Sequence, residues 1–179
     1  MKISTAILAT LNACASGFSA FKKVHGDKEI LFSECVKSES NTLPDCFWFI
    51  RRQPLTADHK KDLQLLAIEF AERVLPIFES KYQDDKRPRA AIETAKLYLS
   101  GESTLDALTE DRMAAYAAVA ADSAAIAVAY AVAAADATDA VAAAAGANGA
   151  AIAANGANDA AEISWQKQRL AELMAKWGW

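Results

Sequence analysis

The chain has 179 residues, 53% hydrophobic and 23% charged, with a formal net charge of −4. That is the size of one ordinary domain and too apolar for intrinsic disorder. Seven Gly and four Pro exclude collagen, and three Cys exclude a disulfide scaffold. Alanine dominates, with 42 residues, 28 of them between Ala114 and Ala161. Alanine is the strongest helix former, so an all-α protein is predicted: one domain, 1–179, of seven to eight helices with closely packed alanine-rich C-terminal helices.

In chain order, Ile3, Ile7, Leu11, Cys14, Phe18 and Phe21 recur at helical spacing, predicting one or two helices that end at Gly26. A bacterial lipoprotein leader is the competing reading of Leu11-Asn12-Ala13-Cys14, but a secretory core needs no such periodicity. Ile30 to Lys37 reads as a short helix or an extended segment. Pro44 suits the start of the apolar cluster Asp45–Ile50, where Trp48 reads as a core anchor. Leu55 to Tyr82 carries Leu63, Leu66, Phe70, Val74 and Ile77 on one face, with Thr56 as N-cap and Glu69–Arg73 as an i,i+4 pair. Pro76 should kink this helix or end it a turn early.

Asp84-Asp85 breaks the chain, and Lys86-Arg87-Pro88-Arg89 leads into a helix ending at Gly101. Asp85, Arg87, Arg89 and Glu93 are expected to form a charge network at its start, Asp85 capping and Arg89 pairing with Glu93 one turn on. The same residues are the candidate binding cluster. From Leu105 to Ala145 two alanine-rich helices are expected, with a turn near Asp122–Ser123 or Asp136–Asp139. Met113, Tyr116, Val119, Ile126, Tyr130, Val132 and Val141 should fill the core between them. Asp111, Asp122 and Asp136 share one face of a continuous helix and form either a solvent stripe or an acidic docking strip.

Gly146-Ala-Asn-Gly149 and Asn155-Gly156-Ala-Asn158 read as helix junctions or as a close helix crossing; glycine's cost inside a helix favours at least one junction. A last helix carries Ile163, Leu170, Leu173, Met174 and Trp177, with Trp165 as a further core anchor.

Catalytic apparatus is not evident. No phosphate-binding glycine loop, H-E-x-x-H or G-x-S-x-G is present, and His25 and His59 are the only histidines. Nothing in the sequence selects a Cys-His dyad, Cys14 with His25 or Cys35 with His59. Cys14, Cys35 and Cys46, with His25, lack the short paired spacing of a zinc site, and they read as buried thiols of a cytoplasmic protein. No metal, cofactor or enzymatic activity is expected. Asp111, Asp122 and Asp136 interrupt the alanine tract, which argues against a membrane span. Residues 1–100 carry fifteen Lys and Arg against thirteen Asp and Glu; residues 101–179 carry four against ten. This acidic second half opposes general nucleic-acid binding and could steer a basic protein partner. Arg51-Arg52, Lys60-Lys61 and Lys86-Arg87-Pro88-Arg89 are basic spots, the last two with acidic neighbours.

Asn12-Ala13-Cys14-Ala15-Ser16-Gly17-Phe18 with Phe21, then Asp84 to Glu93, then an alanine tract closed by Trp165-Gln166 and Leu170, resembles the immunity proteins of bacterial polymorphic toxin systems. These are small all-helical proteins with phage and prophage relatives. The R-P-R-x-A-I-E block is the most specific part, and the similarity covers residues 84–175. Where those relatives carry Arg and His among the alanines, this chain has Asp and Asn. The resemblance implies a phage- or prophage-type accessory protein that binds and inhibits another protein, a toxin or defence effector. The alternative class is a phage structural or assembly protein that self-associates through its alanine-rich helices.

Overall fold

The computed structural model describes residues 1–119, 123–135, 137, 139–154 and 160–179. Among them are ten helices and one pair of two-residue strands. The all-α class holds, with more and shorter helices than periodicity implied. The chain clusters into two compact units, 1–54 with 164–179, and 55–163.

The first unit opens with β1 (Lys2–Ile3), α1 (Thr5–Thr10) and α2 (Ala15–His25). Asn12, at φ 55°, separates the two helices, and Gly26, at φ 62°, ends the second. Such positive φ is accessible to Gly and, among other residues, most readily to Asn. Ile30 to Lys37 is both things the sequence allowed: β2 (Ile30–Leu31), antiparallel to β1, runs directly into α3 (Phe32–Lys37). Helix α4 (Leu43–Ile50) begins at a capping box. The Asp45 amide donates to Thr42 Oγ1, and the Thr42 amide donates to Asp45 Oδ2. Phe21, Phe32, Val36, Phe47, Phe49 and Ile50 are buried here, with Phe32 and Phe49 ring centroids 4.5 Å apart. The C-terminal segment joins this core through Leu170 and Met174, both fully buried. Lys167 Nζ donates to the Ser38 carbonyl at 2.9 Å, and the Ser33 amide donates to the Trp179 carbonyl. Trp165, expected as a core anchor, is half-buried instead, while its neighbour Gln166 is fully buried.

The second unit is built on α5 (Ala57–Lys81), which runs unbroken through Pro76. The helix does not end early at Pro76, which is exposed, as is Glu72, whose carbonyl loses its donor. Water can satisfy that carbonyl, while buried Val74, Leu75 and Phe78 hold the helix in place. Then follow α6 (Arg87–Ser100), α7 (Leu105–Val119), α8 (Ser123–Ala135), α9 (Ala140–Ala154) and α10 (Ala160–Lys176), whose first turn closes this unit. Helices α8 and α9 pack on each other and both pack on α5; α6, α7 and α8 pack mutually. Three alanine-rich helices thus stand where two were expected; α8 and α9 part within the expected turn at 136–139, and Asp122 of the other expected turn lies outside the described residues.

Alanine explains the α8–α9 layer. Ala127, Ala131, Ala134, Ala144, Ala147 and Ala151 are buried, so the axes approach closely through methyl and backbone contacts. Gly146 and Gly149 lie inside α9, so the first repeat is not a junction, and at Gly146 the glycine faces the Tyr130 ring. The second repeat, Asn155 to Asn158, lies outside the described residues. Met113, Tyr116 and Tyr130, expected in the core, are 63%, 45% and 45% exposed, whereas Val132 and Val141 are buried.

Candidate protein-interaction site

The R-P-R-x-A-I-E block forms the start of α6. Asp85 grips Arg87 with both oxygens, Nε to Oδ1 at 2.8 Å and Nη2 to Oδ2 at 2.6 Å, and also accepts from the Arg87 amide at 3.1 Å. The N-cap position itself belongs to Lys86, which makes no side-chain cap, so Asp85 serves the helix from one residue earlier. Arg89 does not pair with Glu93. Its guanidinium forks onto Glu79 of α5, with two 2.6 Å bonds. A planar guanidinium matches a carboxylate bidentately, and Glu79 offers both oxygens across the helix pair. Glu93 is exposed and adds a weaker through-space attraction. Lys96 repeats the α6-to-α5 tie with Glu72 at 2.5 Å.

These pairs set the local acidity. The hydrogen bond from Arg87 holds Asp85 below its ordinary value of 3.8, and that from Arg89 holds Glu79 below 4.5. Pro88, Ala91, Ile92 and Ala95 are buried beneath the charged surface. The block therefore clasps α6 to α5 and leaves one side of Arg87 and Arg89 to solvent.

The expected acidic strip does not form as drawn. Asp111 is half-buried and accepts a hydrogen bond from Thr94 Oγ1 of α6, because its position on α7 turns it toward that neighbour. Asp122 and Asp136 lie outside the described residues. In place of the strip, α7 presents a mixed face that the sequence reading missed. Leu105, Asp106, Glu110, Met113 and Tyr116 are all exposed. At 3.6 residues per turn they span an arc of about 140°, opposite the buried Leu108, Ala115 and Ala118. Glu102 is exposed just before this helix. The signal was present in the sequence: charged Asp106 and Glu110 share an arc with Met113, which places that methionine outside.

The three cysteines do not share one environment. Cys14 is exposed, while Cys35 and Cys46 are buried. Burial pushes the Cys35 thiol up to about 12 and raises Cys46 further. His25 stacks 4.8 Å from Phe21. No helix among the described residues is long and apolar enough to cross a membrane.

No curated protein and no solved structure matches the chain. A family model, Imm-5 like putative immunity protein, matches residues 53–173. The match begins some thirty residues before the expected start at 84 and takes in all of α5, α6 and α7. Covering more than half of the chain, it places the protein: this chain belongs to the Imm-5 like immunity family.

Proposed function

We propose that the protein is a non-enzymatic inhibitor that binds another protein, a toxin or a bacterial defence effector, and that the α7 face makes the contact. Family membership over residues 53–173 is the observation that carries this reading. The exposed face of α7 supports it in physical terms. Exposed Leu105, Met113 and Tyr116 offer apolar and aromatic anchors, and Glu102, Asp106 and Glu110 surround them with negative charge. Aromatic residues and methionine are enriched at interface centres, and charge at the rim steers association. The occupant that fits is a protein with an apolar centre and a basic rim. The setting is the bacterial cytoplasm, with a phage or prophage as the source of the gene.

The test has two stages. The tagged protein is captured from its host, and each stoichiometric companion is expressed alone and together with it. A companion that stops growth alone, and not in the presence of this protein, is the expected result. If every companion is harmless, or stays toxic in its presence, the inhibitor reading fails. The variant Met113→Asp/Tyr116→Ala should then fold normally and lose the rescue. Full rescue by that variant would move the contact away from α7.

A further inference from the structure

The first unit contains a cavity of about 300 Å³, formed by residues from β1 to α4 and largely outside the segment matched by the family. Its walls are aromatic and aliphatic: Phe21, Phe32 and Phe49 are buried to 2% exposure or less, and Trp48 stands half-buried beside them. The Arg52 guanidinium lies 4.0 Å over the Trp48 ring, which fixes that side chain. Cys35 and Cys46 also line the space, and their burial keeps both thiols neutral.

One wall is chemically different. Asp45 reaches the cavity, and its Oδ2 is occupied by the Thr42 amide and hydroxyl. Its Oδ1 carries no hydrogen bond among the described residues, and it lies 3.6 Å from the point where a Cβ on Gly17 would stand. Cys14 Sγ lies 3.3 Å from that same point. A missing side chain at residue 17 therefore opens the cavity beside an available carboxylate oxygen. Cys14 accepts from the Gly17 amide and contacts Ser16 Oγ, so its sulfur is already engaged at this wall.

We propose that this cavity binds a small free aromatic molecule carrying one N–H or O–H donor, with the ring among Phe21, Phe32, Trp48 and Phe49 and the donor on Asp45 Oδ1. The volume lies at the small end of ligand pockets and equals about ten waters of liquid, which suits one or two fused rings. An apolar lining with one placed polar group is the usual composition of such sites. Asp45 is half-buried, so its Oδ1 stays within reach of a ligand in the cavity and can accept a hydrogen bond from one that supplies a donor.

The test uses indole, naphthalene and N-acetyltryptophanamide as probes, followed by amide resonance shifts in the full-length, isotopically labelled protein. Indole is expected to saturate shifts at residues 13–21 and 41–49, and naphthalene to bind about tenfold more weakly for want of a donor. Asp45→Asn keeps an oxygen for the capping box and should lower indole affinity by roughly the same factor. Gly17→Leu fills the space and should abolish binding; if it does not fold, Gly17→Ala, which adds the Cβ alone, should weaken binding measurably. Absence of saturable shifts, or equal binding by indole and naphthalene, overturns the proposal. Tighter binding of N-acetyltryptophanamide than of indole also overturns it, since the occupant would then be a tryptophan side chain of a partner.

Discussion

The ring of Tyr130 fills the space that a side chain at Gly146 would need: a Cβ built there would stand 2.9 Å from Tyr130 Cδ1. Gly149, one turn further along the same helix, has nothing within 4 Å of the equivalent point. The two glycines therefore predict opposite outcomes. Gly149→Ala should stabilise the protein by about 0.5–1 kcal/mol through helix propensity alone. Gly146→Ala gains the same propensity but crowds the ring, and overpacking of about 1–3 kcal/mol outweighs it, for a net loss of about 1 kcal/mol. Urea melts of the two variants decide this; a Gly146→Ala protein as stable as Gly149→Ala would show that the crossing has slack.

Glu162 is 3% exposed and receives Arg73 Nε at 2.6 Å, whereas the Arg73 side chain is 41% exposed. Loss of the arginine removes a partner from a buried carboxylate. Breaking a fully buried pair costs about 3–5 kcal/mol, and solvent at the arginine end reduces this, so Arg73→Ala should cost about 2 kcal/mol. Arg87→Ala breaks an exposed pair and should cost well under about 1 kcal/mol. Equal melting temperatures for the two variants would contradict the burial difference.

Stability should fall in acid partly through the α6 clasp. Asp85 and Glu79 have folded values below their ordinary 3.8 and 4.5, each held down by its arginine. A depressed carboxylate contributes stability above its unfolded value, and that contribution fades as pH drops through the folded one. The loss therefore belongs below about pH 4.5. Glu79→Gln should flatten the pH dependence of melting in that window and leave it unchanged above about pH 6. A parallel acid limb in the variant would assign the acid sensitivity elsewhere.

Thiol reactivity should separate the three cysteines in one experiment. Cys14 is exposed, and hydrogen bonds from Ser16 and from the Gly17 amide hold its thiol below the ordinary pKa of a cysteine. Cys35 and Cys46 are buried with raised values. An aromatic disulfide reagent at pH 8 should modify one thiol rapidly and the other two only at the rate of unfolding. Cys14→Ser should remove the fast phase entirely.

In the last helix, Leu170 is fully buried and Trp165 only half so. Leu170→Ala should cost about 3 kcal/mol. Trp165→Ala should cost about 1–2 kcal/mol, because much of its surface already meets water. The order of the two melting temperatures is the check.

Local signals in the chain proved readable where one element decides the matter. Thr56 caps α5, Gly26 and Gly101 end α2 and α6, and Leu63, Leu66, Phe70 and Val74 of the α5 face are buried as expected, with Ile77 half-buried. The resemblance carried by Arg87-Pro88-Arg89 located the family. What failed were judgements about partners across helices. Arg89 has an acidic neighbour on its own helix, and nothing local says that Glu79, ten residues back, sits closer. Asp111 follows the same logic with Thr94. In the alanine tract a large residue looks like core filler, yet Met113 and Tyr116 lie on the exposed face of α7. The cavity was illegible for a similar reason: residues from four helices and a strand line it, and the informative residue, Gly17, contributes by lacking a side chain.

The alanine layer between α8 and α9 inverts the usual mutational profile of a protein interior. Most cores are damaged chiefly by truncation, since each lost methylene opens a void. Ala131, Ala134, Ala144 and Ala147 have little to truncate, and folding costs them no side-chain entropy. Every substitution but glycine or serine adds volume at positions that are already fully buried. A deep mutational scan should accordingly read this layer as a register of upper size limits. Drift in the sequence would be channelled into exchanges among the smallest residues, so α8 and α9 should keep their low complexity for as long as they stay packed on each other.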